Sequence, residues 1–250
     1  MSMVKPRAWI TGASSGIGKM LALELYRGGY DVIVSGRNLD ALHDLAKTIP
    51  VDIVSFDVTD RAEVLSAASH IKAKFGAIDV LVLNAGNCIY VDVLHFDAQI
   101  FVDMMNTNFL SMVYGVEAAL PLLRLSKNPQ IVGMSSAVAF MGLPRSEAYG
   151  ASKAAIRNFL QGLRVSLLPE KIAVSIVYPG FVKTPLTDKN DFPMPGLISA
   201  EVAAKKIARG ILRKKANIYV PVFFVAVVRF LSVLPTAWSL FFLRRLLRRS

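Results

Sequence analysis

A tyrosine and a lysine four positions apart are the residues of this chain best suited to chemistry. Tyr149 and Lys153 stand in the run Tyr-Gly-Ala-Ser-Lys, and on a helix side chains at this spacing share one face. A lysine cation so close favours phenolate over phenol, so the pKa of Tyr149 is expected to be lowered. Tyr149 would then exchange a proton with a substrate oxygen near neutral pH, which predicts general acid–base catalysis.

Ser136 adds a hydroxyl group to this pair. It lies just after a predicted strand, and it precedes Tyr149 by thirteen residues. The carboxyl ends of the strands are where sheets with helices on both faces build their sites. The Ser136 hydroxyl is therefore predicted to hold the reacting carbonyl oxygen.

A glycine-rich turn near the amino terminus predicts a dinucleotide site. The run Thr11-Gly12-Ala13-Ser14-Ser15-Gly16-Ile17-Gly18 joins a strand-like segment to a helical one. Glycines let the backbone approach a pyrophosphate, whose charge is favoured by the free N–H groups at a helix start. Small residues also end the fourth predicted strand. The residues predicted to bind the cofactor here are Gly12, Ser14, Ser15, Gly16, Ile17, Gly18, Asn84, Ala85 and Gly86.

The residues after the second predicted strand bear on which nicotinamide cofactor is used. The run Val-Ser-Gly-Arg-Asn places Arg37 where an NAD site usually has Asp or Glu for the ribose 2′-hydroxyl. An arginine suits a 2′-phosphate, so NADPH/NADP is the predicted cofactor; the alternative is that Arg37 is a solvated loop residue. Asp57, just past the third strand, is predicted to hydrogen-bond the adenine amino group.

The segments that position these residues alternate between strand and helix patterns. The strands are short apolar runs that fit burial on both faces of a parallel sheet, and their alternation with helices predicts right-handed crossovers. The fold class is therefore α/β, a doubly wound parallel Rossmann sheet of about seven strands with helices on both faces. The predicted strands are 7–10, 31–35, 51–56, 80–83, 130–134, 173–177 and 217–220, and the helices are 17–26, 39–48, 62–75, 99–125, 148–168 and 200–213.

With these motifs in order, the chain resembles a classical short-chain dehydrogenase/reductase of the NADP-preferring type over about residues 5–220. The residues that carry the resemblance are the 11–18 turn, Asn84-Ala85-Gly86, Asn108, Ser136, Tyr149, Lys153, Pro179, Gly180 and Thr184. One departure is Leu83, which stands where the family commonly has a structural asparagine.

The resemblance implies hydride transfer between nicotinamide and a carbinol carbon, with Tyr149 as general acid or base and Ser136 polarising the carbonyl. Lys153 would bind the nicotinamide ribose and tune Tyr149, while Asn108 would hold a water that links Lys153 to solvent. Helices 99–125 and 148–168 would build a homodimer or homotetramer. The further implied cofactor contacts are Val58, Pro179, Gly180, Val182 and Thr184.

Composition and charge limit the class of protein and the compartment in which this chemistry would take place. Of 250 residues, 54% are apolar and 19% charged, which excludes a disordered chain. The single cysteine, Cys88, lacks the paired ligands of a metal site, so no metal is predicted and a reducing cytoplasm is expected. Glu201 is the last acidic residue and eleven Lys or Arg follow it, so the whole net charge of +11 belongs to the end of the chain.

The chain beyond Val220 predicts a separate unit, so that residues 1–220 form the catalytic domain and 221–250 an apolar, basic C-terminal tail. Its apolar pieces, 221–228 and 230–234, flank Arg229, and both fall short of the ~18 to 20 residues of a spanning helix. The segment 237–249 is amphipathic, with four arginines on one side. These features predict a tail on an anionic membrane surface, hence peripheral or monotopic association from the cytoplasm. The alternative is a helix packed against the body or a second subunit.

Residues 186–197 lie where the family has its substrate lid, and their apolar side chains predict an apolar small-molecule substrate. The favoured hypothesis is reduction of a lipid-like ketone: a long-chain keto lipid, a ketosphingoid base or a sterol. One alternative is a reductase of small xenobiotic carbonyls, and another is a non-catalytic NADP-binding scaffold at a membrane. Nucleic-acid binding is not predicted, because the basic residues alternate with Leu and Phe and lack a reading motif.

Overall fold

The computed structural model describes residues 5–235, 237 and 238. Its strands are β1 (Arg7–Thr11), β2 (Asp31–Ser35), β3 (Val51–Ile53), β4 (Val80–Leu83), β5 (Gln130–Met134), β6 (Ala173–Pro179), β7 (Val182–Lys183), β8 (Ile198–Ser199) and β9 (Asn217–Val220). Seven of them form one parallel sheet in the order β3-β2-β1-β4-β5-β6-β9. This confirms the predicted α/β fold. The order reverses between β1 and β4, the switch point at which such sheets bind ligands.

Helices cover both faces of the sheet. One face packs against α3, α5 and α6, and the other packs against α1, α2 and α7. The helices are α1 (Gly16–Arg27), α2 (Leu39–Thr48), α3 (Arg61–Phe75), α4 (Gln99–Met104), α5 (Ser111–Leu123), α6 (Glu147–Ser166), α7 (Ala200–Leu212) and α8 (Val222–Ser232).

The apolar runs of the central strands are explained by this double coverage. In β1, Trp9 points into one core while Ala8 and Ile10 point into the other, and all three are fully buried. Successive side chains of a strand alternate between faces, so a strand with helices on both sides has no solvent face to make polar. The sheet is thereby a rigid platform for loops at its carboxyl edge.

Two predicted elements differ from the structure by more than two residues at an end or in their continuity. The third strand ends at Ile53 rather than Phe56, because the chain turns away where the Ser55 hydroxyl donates to the Gly36 carbonyl oxygen at 2.7 Å. The single predicted helix 99–125 is divided into α4 and α5 by a π-helical segment, Met105–Leu110. Such wide turns are often found at functional sites, and this one carries Asn108.

The apolar run after Val220 forms α8, which packs on the body of the protein. Val225 is fully buried in the core. Arg229 donates to the Tyr219 hydroxyl at 2.8 Å, and its guanidinium lies 5.4 Å from the centroid of the Phe140 ring. The charge that interrupts the apolar run is thus held by aromatic rings.

The opposite face of α8 is exposed and also apolar. The side chains of Val222, Phe223 and Phe230 are 64%, 80% and 63% exposed. Within the described part of the chain, no helix combines the length and the apolar character needed to cross a bilayer. The amphipathic segment predicted at 237–249 lies outside the described residues, apart from Ala237 and Trp238, so it stays a prediction.

Candidate active site

A cavity of about 1150 Å³ opens at the carboxyl edge of the sheet and brings together most of the predicted site residues. Among those predictions, Gly18 and Asn108 lie behind its wall. The predicted residues that line it are Gly12, Ser14, Ser15, Gly16, Ile17, Arg37, Asp57, Val58, Asn84, Ala85, Gly86, Ser136, Tyr149, Lys153, Pro179, Gly180, Val182 and Thr184.

The glycine turn brings the chain close to the end of β4. Gly12 has a φ of +66°, and a Cβ on it would lie 2.7 Å from the Ala85 Cα, so no larger residue fits without a backbone shift. The Asn84 side-chain amide donates to the Gly12 carbonyl oxygen at 2.9 Å. A Cβ on Gly18 would overlap that same carbonyl oxygen. Gly18 therefore serves the packing of α1 on the turn.

The amino terminus of α1 fits a pyrophosphate. Ser15 precedes the helix in an extended conformation, and within the described chain its side chain makes no capping hydrogen bond. The first turn of α1 also contains no acidic residue. The N–H groups of this turn thus face the cavity without a competing side-chain acceptor, as an anion site requires.

Arg37 and Asp57 meet at the far end of the cavity. Their side chains approach to 3.4 Å and are 78% and 34% exposed, so the pair contributes little to stability. The pKa of Asp57 is lowered mainly by the backbone N–H of Thr59, with smaller contributions from the Thr59 hydroxyl and Arg37. Arg37 is thus available to a second anion.

Asn108 is fully buried on the π-helical segment, and its amide is used by neighbouring groups. Its Nδ2 donates to the Asn87 carbonyl oxygen at 3.0 Å and to the Ser152 Oγ at 2.9 Å. Its Oδ1 accepts from the Asn87 backbone N–H at 2.8 Å. Asn108 therefore ties the loop after β4 to α6, while a water held by this residue stays a prediction.

Lys153 is a buried cation beside the catalytic tyrosine candidate. Its side chain is 4% exposed, and its Nζ donates to the Met134 carbonyl oxygen at 2.9 Å. Burial lowers the pKa of Lys153 to about 8, and the nearby Cys88 offsets part of that effect. A Cβ on Gly86 would lie 3.5 Å from the Nζ, so Gly86 leaves room for the ammonium group.

The expected lowering of the pKa of Tyr149 is wrong for the chain alone. Burial raises this pKa, Cys88 and Tyr90 raise it further, and only the Ser136 hydroxyl lowers it. The Lys153 Nζ lies 5.6 Å from the centroid of the Tyr149 ring and is directed to Met134 instead. The loss of water around the phenolate therefore outweighs the effect of the lysine.

The loop after β6 closes the cavity near Tyr149. The Ser136 hydroxyl lies 3.5 Å from the Pro179 carbonyl oxygen. A Cβ on Gly16 would lie 3.1 Å from the Thr184 Cγ2, so the glycine turn and this loop face each other. Behind the loop, a Cβ on Gly180 would lie 2.5 Å from the Phe224 ring of α8. The catalytic and cofactor regions are therefore parts of one continuous space.

Three supporting residues were missed from the sequence. Ser152 and Asn87 are the partners of Asn108 described above, and the Ser135 hydroxyl donates to the Lys153 carbonyl oxygen at 2.9 Å. Each is adjacent to a predicted site residue. Buried polar side chains need hydrogen-bond partners, so their places next to the motifs were the available signal.

Leu83, the departure from the family pattern, is accommodated by a glycine. Its side chain is 3% exposed, and a Cβ on Gly115 of α5 would overlap the Leu83 Cδ2. An apolar residue at this position thus fills the space above a helical glycine.

Known proteins resemble the chain in both sequence and fold. A family model described as short chain dehydrogenase matches residues 6–193. An uncharacterised oxidoreductase of Myxococcus xanthus is 36% identical over 233 residues, which cover 91% of this chain and 92% of the relative.

Two solved structures resemble the fold. A short chain dehydrogenase/reductase of Burkholderia phymatum in complex with NAD has a TM-score of 0.82 at 21% identity, covering 92% of this chain and 93% of that one. A substituted actinorhodin polyketide ketoreductase with NADPH has a TM-score of 0.77 at 23% identity, covering 86% and 95%. At these identities the two structures establish the fold alone.

Proposed function

The chain belongs to the short-chain dehydrogenase family, and from that premise we propose that it uses NADPH to interconvert a ketone and a secondary alcohol. Membership of the family makes it an oxidoreductase. The observation that best supports the proposal is the single cavity that runs from the glycine turn and Arg37 to Ser136, Tyr149 and Lys153.

The cofactor would lie along this cavity. The glycine turn and the amino terminus of α1 would bind the pyrophosphate, and Arg37 would pair with the 2′-phosphate. Asp57 would contact the adenine, and the loop with Pro179 and Thr184 would hold the nicotinamide end. When bound, NADPH supplies the hydride.

The proton would come from Tyr149. Its raised pKa keeps the phenol protonated at neutral pH, which suits a general acid in the direction of reduction. The phenol O–H bond breaks as the alcohol O–H bond forms, and the remaining phenolate is stabilised by the Lys153 cation. Ser136 would orient the carbonyl oxygen through its hydroxyl, which lines the cavity together with Tyr149.

We propose a lipid-like ketone as the substrate. Ile89, Met104, Pro185 and Leu186 give the catalytic end of the cavity apolar walls. The exposed apolar face of α8 and the basic end of the chain favour a membrane surface as the source of this substrate. The protein would then associate peripherally with a membrane from the cytoplasm.

A homodimer or homotetramer is proposed as the assembly. Its support is the pair of exposed apolar side chains at the end of α6, where Val165 and Leu168 are 66% and 65% exposed. Apolar residues so placed are typical of a surface that another subunit covers.

The cofactor proposal is tested by replacing Arg37 with alanine. The pairing of an arginine with a phosphate is a charge-assisted interaction worth about 1.5–3 kcal/mol. We therefore expect kcat/KM with NADPH to fall by about ten- to a hundredfold while kcat/KM with NADH is unchanged. Arg27→Ala is the control, because Arg27 is exposed at the end of α1 and pairs with Glu24. Equal losses with both cofactors, or a wild-type preference for NADH, would contradict the proposal.

A further inference from the structure

Residues 186–197 begin at the cavity wall, where Leu186 and Thr187 contribute to its lining. Past that point the segment contacts the loop after β4. The Tyr90 hydroxyl donates to the Asn190 Oδ1, and the Tyr90 and Phe192 rings meet edge to face with centroids 5.9 Å apart. The segment is thus held against the body by side chains in its middle.

Arg145 joins three parts of the chain at this place. Its guanidinium pairs with the Asp191 carboxylate at 2.8 Å and lies 4.9 Å from the centroid of the Tyr90 ring. Its carbonyl oxygen accepts from the buried Val91 N–H at 2.9 Å. Its backbone N–H donates to the Glu147 Oε1 at 3.1 Å, so the same residue touches the segment, the loop after β4 and the start of α6.

The backbone of Arg145 adopts a conformation that is unfavourable for residues other than glycine. Its φ is +66°, in the left-handed region where residues other than glycine are uncommon. The ion pair itself is exposed, with 44% and 66% of the two side chains accessible. Exposed pairs contribute little to stability, so these contacts can break and re-form as the segment opens.

We propose that Tyr90, Arg145, Asn190 and Asp191 form a latch that holds residues 186–197 closed over the catalytic end of the cavity, with Arg145 as its positioning residue. The latch retains a substrate while Tyr149 is engaged and releases it by a local opening. The description of the cavity as a substrate site rests on the proposed function, but the existence of the latch does not.

The test is native-state digestion with trypsin, which cleaves after both lysine and arginine, monitored by the appearance of the fragment that begins at Asn190. Lys189 is exposed within the segment, and cleavage after it requires the local backbone to open. Arg145→Asn removes the contacts with Asp191 and with the Tyr90 ring, and Tyr90→Phe removes the hydrogen bond to Asn190. Neither changes residues 186–197, so the sequence around Lys189 is the same in both variants. We expect both variants to be cut after Lys189 about three- to tenfold faster than the wild type.

Two controls make the test specific. Arg145→Lys keeps the charge, and lysine adopts positive φ elsewhere in this chain at Lys171 and Lys214, so its cleavage rate should stay near that of the wild type. Arg124→Asn breaks the exposed pair with Glu170, which lies outside the latch, and should leave the rate unchanged.

The latch is refuted if neither Arg145→Asn nor Tyr90→Phe accelerates cleavage, if Arg145→Lys is cut as fast as Arg145→Asn, or if Arg124→Asn is accelerated equally. Melting temperatures identify any variant that has lost its fold, and Tyr90→Phe keeps the test valid if Arg145→Asn is such a case. Because digestion needs no turnover, an inactive protein still tests the latch. A failed latch likewise leaves the proposed reaction untouched.

Discussion

Lys153 enters the cavity as a buried ammonium group whose Nζ donates to the Met134 carbonyl oxygen. Its pKa of about 8 lies below the ordinary value because burial disfavours the charged form. The lysine is therefore charged below that pH and neutral above it. In the proposed mechanism the Lys153 cation stabilises the phenolate that Tyr149 becomes, so the charge of Lys153 would control proton transfer.

This gives a prediction for the pH dependence of reduction. We expect kcat/KM for the carbonyl substrate to be level near neutral pH and to fall about tenfold per pH unit above pH 8, as Lys153 loses its proton. Initial rates of NADPH oxidation between about pH 7 and 10 provide the measurement, with the melting temperature recorded at each pH as the control. A level profile over that range in a stably folded protein would contradict the assignment.

At the scale of elements, β4 and α5 depend on each other through Leu83 and Gly115. A Cβ on Gly115 would overlap the Leu83 Cδ2 in a closely packed core. We expect Gly115→Ala to lower the free energy of unfolding by about 1–3 kcal/mol, and Leu83→Val to restore part of this loss because valine has no Cδ atoms. Denaturant unfolding provides the measurement.

The control for this prediction is a second helical glycine. Gly162 lies exposed in α6, and an added Cβ would meet open space. Gly162→Ala should therefore stabilise the protein by about 0.5–1 kcal/mol, since alanine is the better helix former. Equal effects of the two alanines would show that helix propensity, and not the contact with Leu83, governs Gly115.

The elements were predictable from the sequence where local pattern determines structure. The strands around Trp9 and Leu81 are continuous apolar runs because both of their faces are covered, and a pattern of this kind is visible in the chain itself. The division of helix 99–125 was not predictable, because the wide turn Met105–Leu110 holds the buried Asn108, whose partners Asn87 and Ser152 are distant in sequence.

In the site too, the positions of the residues were predictable from the sequence, whereas a property set by tertiary contacts was not. The predicted residues share one cavity because their motifs lie at the carboxyl ends of parallel strands. The pKa of Tyr149 was not predictable, because it depends on burial and on Cys88 and Tyr90, which are distant in sequence. The four-residue spacing places Lys153 near Tyr149, but how deeply the phenol is buried depends on the whole fold.

At the scale of the whole molecule, positive charge and exposed apolar surface occur in the same part of the chain. No acidic residue follows Glu201, and α8 exposes Phe223 and Phe230. Positive charge would repel a second copy, whereas an anionic bilayer would complement both this charge and the apolar side chains, which supports the proposed membrane association.

Vesicle binding tests this arrangement in the full-length protein. We expect binding to phosphatidylserine-containing vesicles, weakened by salt, and about a tenfold lower partition coefficient for the double variant Phe223→Ser/Phe230→Ser. Leu125→Ser is the control, since Leu125 is 59% exposed beyond the end of α5. Binding that is absent, or reduced equally in the control, would contradict the membrane proposal.

Tyr149→Phe tests most directly whether this cavity performs acid-catalysed carbonyl reduction with NADPH, as proposed. NADPH binding and NADPH oxidation would be measured for the wild type and the variant with long-chain keto lipids and with water-soluble ketones. Loss of the phenolic proton predicts unchanged NADPH affinity and at least a hundredfold lower kcat, on the order of what a general acid contributes. Turnover that survives in Tyr149→Phe, or a wild-type protein that does not bind NADPH, would contradict the proposal.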